Sequence, residues 1–194
     1  MKKSLTAFLF LAILLFTSQA IAITYYFDPP ADNIMVNDSL SIDLNVSGLT
    51  DGGPDSLGAF ALDIAYDDTV LDFTGVTFGL DLGDPDNYEA DIYYDDSLSG
   101  IVYLDETSWL YDDELDALQN NSFTLATLEF IGTGSGTSII GIENLSASDA
   151  FGLSFSDPVI QTAAIKVSDP VPVPATLVLL ASGFLGIAGL RRKK

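Results

Sequence analysis

Almost every side chain in this sequence that could do chemistry is a carboxylate. The 194 residues include 28 Asp and Glu but no histidine and no cysteine. Without histidine the chain lacks the usual general base, the usual zinc ligand and the middle member of a Ser-His-Asp triad. Without cysteine it lacks thiol chemistry and disulfide staples. Neighbouring carboxylates occur at Asp67/Asp68, Asp95/Asp96 and Asp112/Asp113, and glycoside hydrolysis uses two carboxyls about 5 to 9.5 Å apart. In so acidic a chain such pairs arise by accident. Their expected role is a solvated, mutually repelling surface, and no residue is assigned to catalysis.

Two further constellations could bind. Asp81, Asp84, Asp86 and Asn87 place hard oxygen ligands in one Gly-Pro turn, and Asp91, Asp95 and Asp96 could approach from the next strand. Calcium is the cation such a set suits, although the spacing is not that of the twelve-residue helix-loop-helix calcium loop. The second is aromatic: Tyr88, Tyr93, Tyr94, Tyr103, Trp109 and Tyr111. Sugar rings stack on exposed aromatic faces while carboxylates bond their hydroxyls. About half of such residues on strands are expected to point inward. Trp109 and Tyr111, set among Asp105, Glu106, Asp112 and Asp113, are expected to be exposed and with Tyr94 form the candidate ligand set.

The elements that carry these residues follow a period of two. Leu40, Ile42, Leu44 and Val46 alternate with polar neighbours, as do Phe60, Leu62, Ile64 and Tyr66, and then Tyr88, Ala90, Ile92 and Tyr94. Less regular runs at 71–78, 101–104, 123–131, 137–142 and 159–167 also read as strands. Breaker clusters separate them at 48–58, 83–87, 95–100 and 132–136. Eight or nine short strands with one apolar and one polar face predict an all-β, antiparallel two-sheet sandwich. Only 106–119 differs, where Trp109, Leu110, Leu115 and Leu118 with Asp112, Asp113 and Glu114 predict a helix of one or two turns, acidic at its N-terminal end.

Both ends read as addresses. Residues 1–22 have a Lys2-Lys3 start, an apolar core and a small-x-small site at Ala20-Ile21-Ala22, the pattern of a cleaved secretory signal peptide. At the other end, 170–194, a Pro-Val-Pro entry precedes an uncharged run, 175–190, and four cations, 191–194. The run predicts a short transmembrane helix whose basic end stays cytoplasmic. Between these ends, 23–169 is long enough for one domain. It holds all 28 acids against a single base, Lys166, a formal charge of −27. Such a surface excludes nucleic acid, whose binding needs Lys and Arg to displace counterions.

The tail resembles the PEP-CTERM sorting signal of Gram-negative bacteria. The matching residues are Val171, Pro172, Pro174, Ala175, Thr176 and Leu177, then Gly183, Gly186 and Gly189, then Arg191 and Arg192 with the two lysines. Val173 stands where the family has Glu. The resemblance implies an exosortase as processing partner, a transient inner-membrane intermediate, and release to the cell surface or extracellular matrix. The domain in turn resembles cohesin-like modules, through Val36-Asn37-Asp38-Ser39, Leu57-Gly58-Ala59-Phe60, Leu62 to Asp67, Val70 to Val76 and Phe123 to Phe130. That resemblance implies a nine-stranded jelly-roll sandwich, related to carbohydrate-binding modules, that binds a partner non-covalently. The partner would be a dockerin-like protein or an extracellular polysaccharide. The alternative is a calcium-stabilised acidic matrix or biofilm protein without a discrete ligand.

Overall fold

The computed structural model describes residues 23–49 and 56–170. The cleavage residues Ala20 and Ala22, the sorting residues Val171, Pro172, Pro174, Arg191 and Arg192, and the helix expected over 175–190 lie outside them. Among the described residues no helix is long and apolar enough to cross a membrane.

Among the described residues eleven strands form two packed sheets. The strands are β1 (Thr24–Asp28), β2 (Asn33–Met35), β3 (Ser39–Ser47), β4 (Ala59–Ala65), β5 (Leu71–Phe78), β6 (Ala90–Asp95), β7 (Ile101–Ser108), β8 (Ser122–Gly132), β9 (Gly136–Ser148), β10 (Val159–Ile160) and β11 (Ala163–Ser168). The five-stranded sheet runs β10-β1-β3-β8-β5 and the six-stranded sheet β2-β11-β9-β4-β7-β6. One short helix, α1 (Asp112–Leu118), follows β7, and its first turn carries Asp112, Asp113 and Glu114 as the sequence predicts. The Glu114 carboxylate accepts from the Tyr111 N–H at 2.9 Å, satisfying a donor the helix start leaves free.

The core is the inward set of both sheets. Tyr25, Ile42, Leu44, Phe60, Leu62, Ile64, Leu104 and Phe130 are all fully buried. Phe130 is packed edge-on by Tyr66 at 5.2 Å and Phe73 at 5.7 Å. Where alternation looks irregular in the sequence, the ladder is bulged. The β3–β8 register shifts at Leu44/Asn45, so Leu125 and Ala126 are both buried. The β4–β9 register shifts near Asn144, which takes a φ of 50° and donates from Nδ2 to Asp63 at 2.7 Å.

The expected all-antiparallel pairing is corrected at the chain ends. There β1 pairs parallel with β10, and β2 parallel with β11. Both terminal segments cross from one sheet to the other side by side, so the run expected as one strand, 159–167, is two strands in different sheets. Backbone bonds Val159 N to Ile23 O (2.8 Å), Gln161 N to Tyr25 O (2.9 Å), Lys166 N to Asp32 O (2.9 Å) and Val36 N to Ser168 O (3.0 Å) zip them together. The strand expected from Tyr88 begins only at Ala90, because Tyr88 sits at a φ of 61° closing a 3-10 turn over Pro85–Asn87. Glu106 to Ser108, expected in the helical segment, extend β7.

The registers give the sandwich two distinct ends. β11 leaves at Ser168 opposite Met35, next to the 67–70, 95–100 and 132–136 turns. The 79–89, 109–121 and 149–158 connections lie at the opposite end, hereafter the distal end. Phe130→Ala should lower the unfolding free energy by about 3–5 kcal/mol, the cost of a large core cavity. Urea denaturation checks this, with the midpoint falling at unchanged slope.

Candidate functional site

The outer faces of the two sheets differ in chemistry. On the five-stranded sheet the outward side chains bond to one another. Ser41 donates to Glu129 at 2.9 and 2.8 Å, Thr127 to Asp43 at 2.7 Å and Thr124 to Asn45 at 2.7 Å, while Tyr26 and Ser122 meet at 3.2 Å. This is a self-satisfied polar surface facing water.

The six-stranded sheet presents a floor of small residues. Ala59, Ala61 and Ala65 alternate outward along β4 against buried Phe60, Leu62 and Ile64. The register sets Tyr93, Asp105, Ala61 and Ser146 in one row and Asp95, Tyr103, Asp63 and Glu143 in the next. Tyr93 and Tyr103 pack with ring centres 6.1 Å apart, and the Tyr103 hydroxyl donates to Asp105 at 3.1 Å. A side chain brought to this floor meets backbone and methyl groups at close range, with tyrosines and carboxylates around it. Asp63 stands in the same outward row between Ala61 and Ala65, so methyl groups and carboxylates share the floor.

The predicted aromatic set is divided. Trp109 and Tyr111 are 63% and 77% exposed at the distal end, and the Trp109 N–H donates to Glu89 O at 2.7 Å. That bond brings in Tyr88, which is 90% exposed. Tyr94 lies elsewhere, against Phe73 at 6.2 Å. It lines an apolar cleft of about 490 Å³ between edge strands β5 and β6, with Val76, Phe78, Pro85 and Ile92.

The predicted calcium residues are divided as well. Asp84 caps the 3-10 turn, its carboxylate accepting from the Asp86 N–H and the Asn87 Nδ2, each at 2.9 Å. Asp86 and Asn87 are exposed on that turn. Gly83 needs both its φ of 121° and its missing side chain, since a Cβ there would come within 2.8 Å of Glu89. Asp81 turns toward the interior, and burial raises its pKa. Among the described residues no three His, Cys, Asp or Glu side chains converge as a metal-holding group.

The residue the sequence reading passed over is Glu106. It is 1% exposed, and neither carboxyl oxygen has a partner. Burial, with a smaller contribution from the charge of Asp81, pushes its pKa up to about 8. Its signal was present: Val102, Leu104 and Glu106 share the inward face of β7, so an acid occupies a core position. Beside it Gln119 is buried and fully bonded, accepting from the Leu57 N–H at 2.7 Å and donating to Leu57 O at 2.8 Å and Asp81 O at 3.1 Å.

With this geometry in place, residues 170–193 match the family model of the PEP-CTERM protein-sorting motif. The chain carries that motif behind a cohesin-like sandwich. A type II cohesin domain from the cellulosome of Acetivibrio cellulolyticus superposes with a TM-score of 0.61 at 18% identity, covering 74% of this chain and 95% of that one. A chain of a type II cohesin–X-dockerin complex from the same organism gives 0.62 at 16% identity, covering 75% and 99%. The cohesin module of a Clostridium perfringens family 33 glycoside hydrolase gives 0.58 at 12% identity, covering 76% and 98%. At these identities the likeness establishes the fold. No curated protein sequence matches the chain significantly.

The raised pKa of Glu106 has a definite consequence for stability. Between its ordinary 4.5 and about 8 the folded protein holds a proton that the unfolded chain releases. Stability therefore falls as pH rises through this window and levels above it. Glu106→Gln, neutral at every pH, should remove that fall. In chelator its unfolding free energy should match the wild type near pH 4 and exceed it above pH 8, by an amount on the order of a few kcal/mol. Melts across the pH range check this, and parallel curves would refute it.

Proposed function

We propose that this chain is a non-catalytic binding module that an exosortase sorts to the cell surface or the extracellular polysaccharide matrix. There it docks a dockerin-like protein on the outer face of its six-stranded sheet. The carrying observation is the contrast between the two faces. One is lined by Ser, Thr, Asn and acids bonded to one another, while the other offers Ala59, Ala61 and Ala65 as close-approach points among Tyr93, Tyr103, Asp63, Asp105 and Glu143. A dockerin complex among the structures of the same fold supports a protein partner. The sorting motif, with the segment 175–190 as an inner-membrane intermediate, supplies the route.

The distal aromatics favour a second reading, retention on polysaccharide. Tyr88, Trp109 and Tyr111 expose most of their surface beside carboxylates, the arrangement on which sugar rings stack.

Variants of the exported protein separate the two. Ala61→Arg fills the floor and should weaken capture of the surface partner at least about ten-fold, roughly 1.4 kcal/mol. Thr74→Arg, an exposed site on the five-stranded sheet, should leave capture unchanged. Equal capture by both variants removes the six-stranded face from consideration. Trp109→Ala should abolish retention on the producer's own exopolysaccharide if the distal end binds glycan, and unchanged retention leaves the protein partner alone.

A further inference from the structure

We propose that Glu106 and Asp81 form a binding site for a divalent cation, calcium by the chemistry of its ligands, inside the distal end of the sandwich. Glu106 lacks both solvent and partners. Its side chain is 1% exposed and both its oxygens are without a hydrogen-bond partner. Protonation alone does not satisfy it, because a proton removes the charge and still leaves both oxygens without a donor. An unmade bond of this kind is costly in a buried setting.

The second observation is Asp81. This residue sits on the β5–β6 connection, half-buried, and near enough for its charge to add to the rise in the Glu106 pKa. Two carboxyls brought together inside a protein repel one another unless something positive lies between them. No side chain can supply it. Lys166 is the only base among the described residues, and it is exposed on β11, separated from β7 by β9 and β4. The positive charge must come from solution, as a proton on Glu106 or as a cation in its place.

Carboxylate ligands select a hard cation. Calcium accepts about six to eight oxygens in a flexible shell, so two carboxylates can be completed by backbone carbonyls and water, whereas magnesium demands a tighter octahedron. The scaffold is set. Gln119 ties the Asp81 backbone to Leu57, and Ser56 next to Leu57 donates to Asp112 at 3.1 Å at the start of α1. A cation here joins β7 to the 79–89 connection and steadies the loops that carry Tyr88, Trp109 and Tyr111. The site differs from the exposed 84–87 turn, where the Asp84 carboxylate is already occupied as a cap.

The test compares melts of the exported protein in calcium and in chelator at matched ionic strength, with magnesium as a control. At calcium about 100-fold above its Kd, the wild type should gain roughly 5 °C or more in Tm. Glu106→Gln and Asp81→Asn should each lose most of that gain, while Asp84→Asn keeps it. Calorimetric titration of the wild type with calcium should give one site per chain. Superimposable wild-type melts overturn the proposal, as does a calcium response that survives Glu106→Gln. A response lost only in Asp84→Asn overturns it by moving the cation to the exposed turn. Should Glu106→Gln fail to fold, Asp81→Asn and the wild-type titration decide the question.

Discussion

The constraint on which everything else in this domain depends is charge without counter-charge. Between residues 23 and 169 there are 28 acids and one base, so ion pairing cannot hold the surface together. The structure replaces cations with neutral donors. Asp67 accepts from the Thr69 hydroxyl and backbone, Asp95 from the Ser97 backbone, Asp68 from Ser99, Asp63 from Asn144 and Glu129 from Ser41. These bonds favour the ionised form, which is why the pKa values of Asp67 and Asp95 are lowered. The abundance of Ser, Thr and Asn beside the acids is thus part of the fold's electrostatics. With no attraction between side chains of opposite sign, cohesion falls to the buried apolar layer and the ladder bonds.

Against that background Glu106 and Tyr25 are the exceptions. Tyr25 buries its hydroxyl without a partner and its pKa is raised, but it stays neutral, so the cost is one unmade hydrogen bond. A carboxyl in the same condition carries a larger penalty, because its charged form has neither solvent nor counter-ion. Core positions tolerate that seldom, and where they do a function or a ligand is the usual reason.

Much of the fold was legible because a half-buried strand writes its two faces directly into the sequence. β3 and β4 alternate without interruption in the sequence, and they are found where the alternation places them. The losses have physical causes. β1 reads Tyr25-Tyr26-Phe27, where a half-buried, outward-facing aromatic between two buried ones hides the period, and β2 is only three residues long. The two short terminal strands gain stability by pairing with each other across 135 positions of sequence, a parallel contact no local pattern announces. Tyr88 to Tyr94 alternates convincingly, yet β6 is an edge strand on which only Ala90 is buried, so its period reports on no core. Glu106 was hidden for the opposite reason. Being acidic and close to Asp112 and Glu114, it reads as the start of the helix, and only the extension of β7 shows it facing inward.

The parallel pairing of the chain ends also decides the orientation of the molecule. Had β11 returned antiparallel to β2, the chain would leave the sandwich from the end that carries Trp109 and Tyr111. It runs the other way. Ser168 lies opposite Met35, and Pro170, where the sorting motif begins, follows at the far end from those aromatics. The distal loops therefore lie at the end of the sandwich opposite the point where the chain enters the sorting motif. The motif begins next to the short turns at 67–70 and 132–136 and clear of the longer distal connections. One pair of parallel strands thus separates the end of the domain that leads into the sorting motif from the end that carries the exposed aromatics.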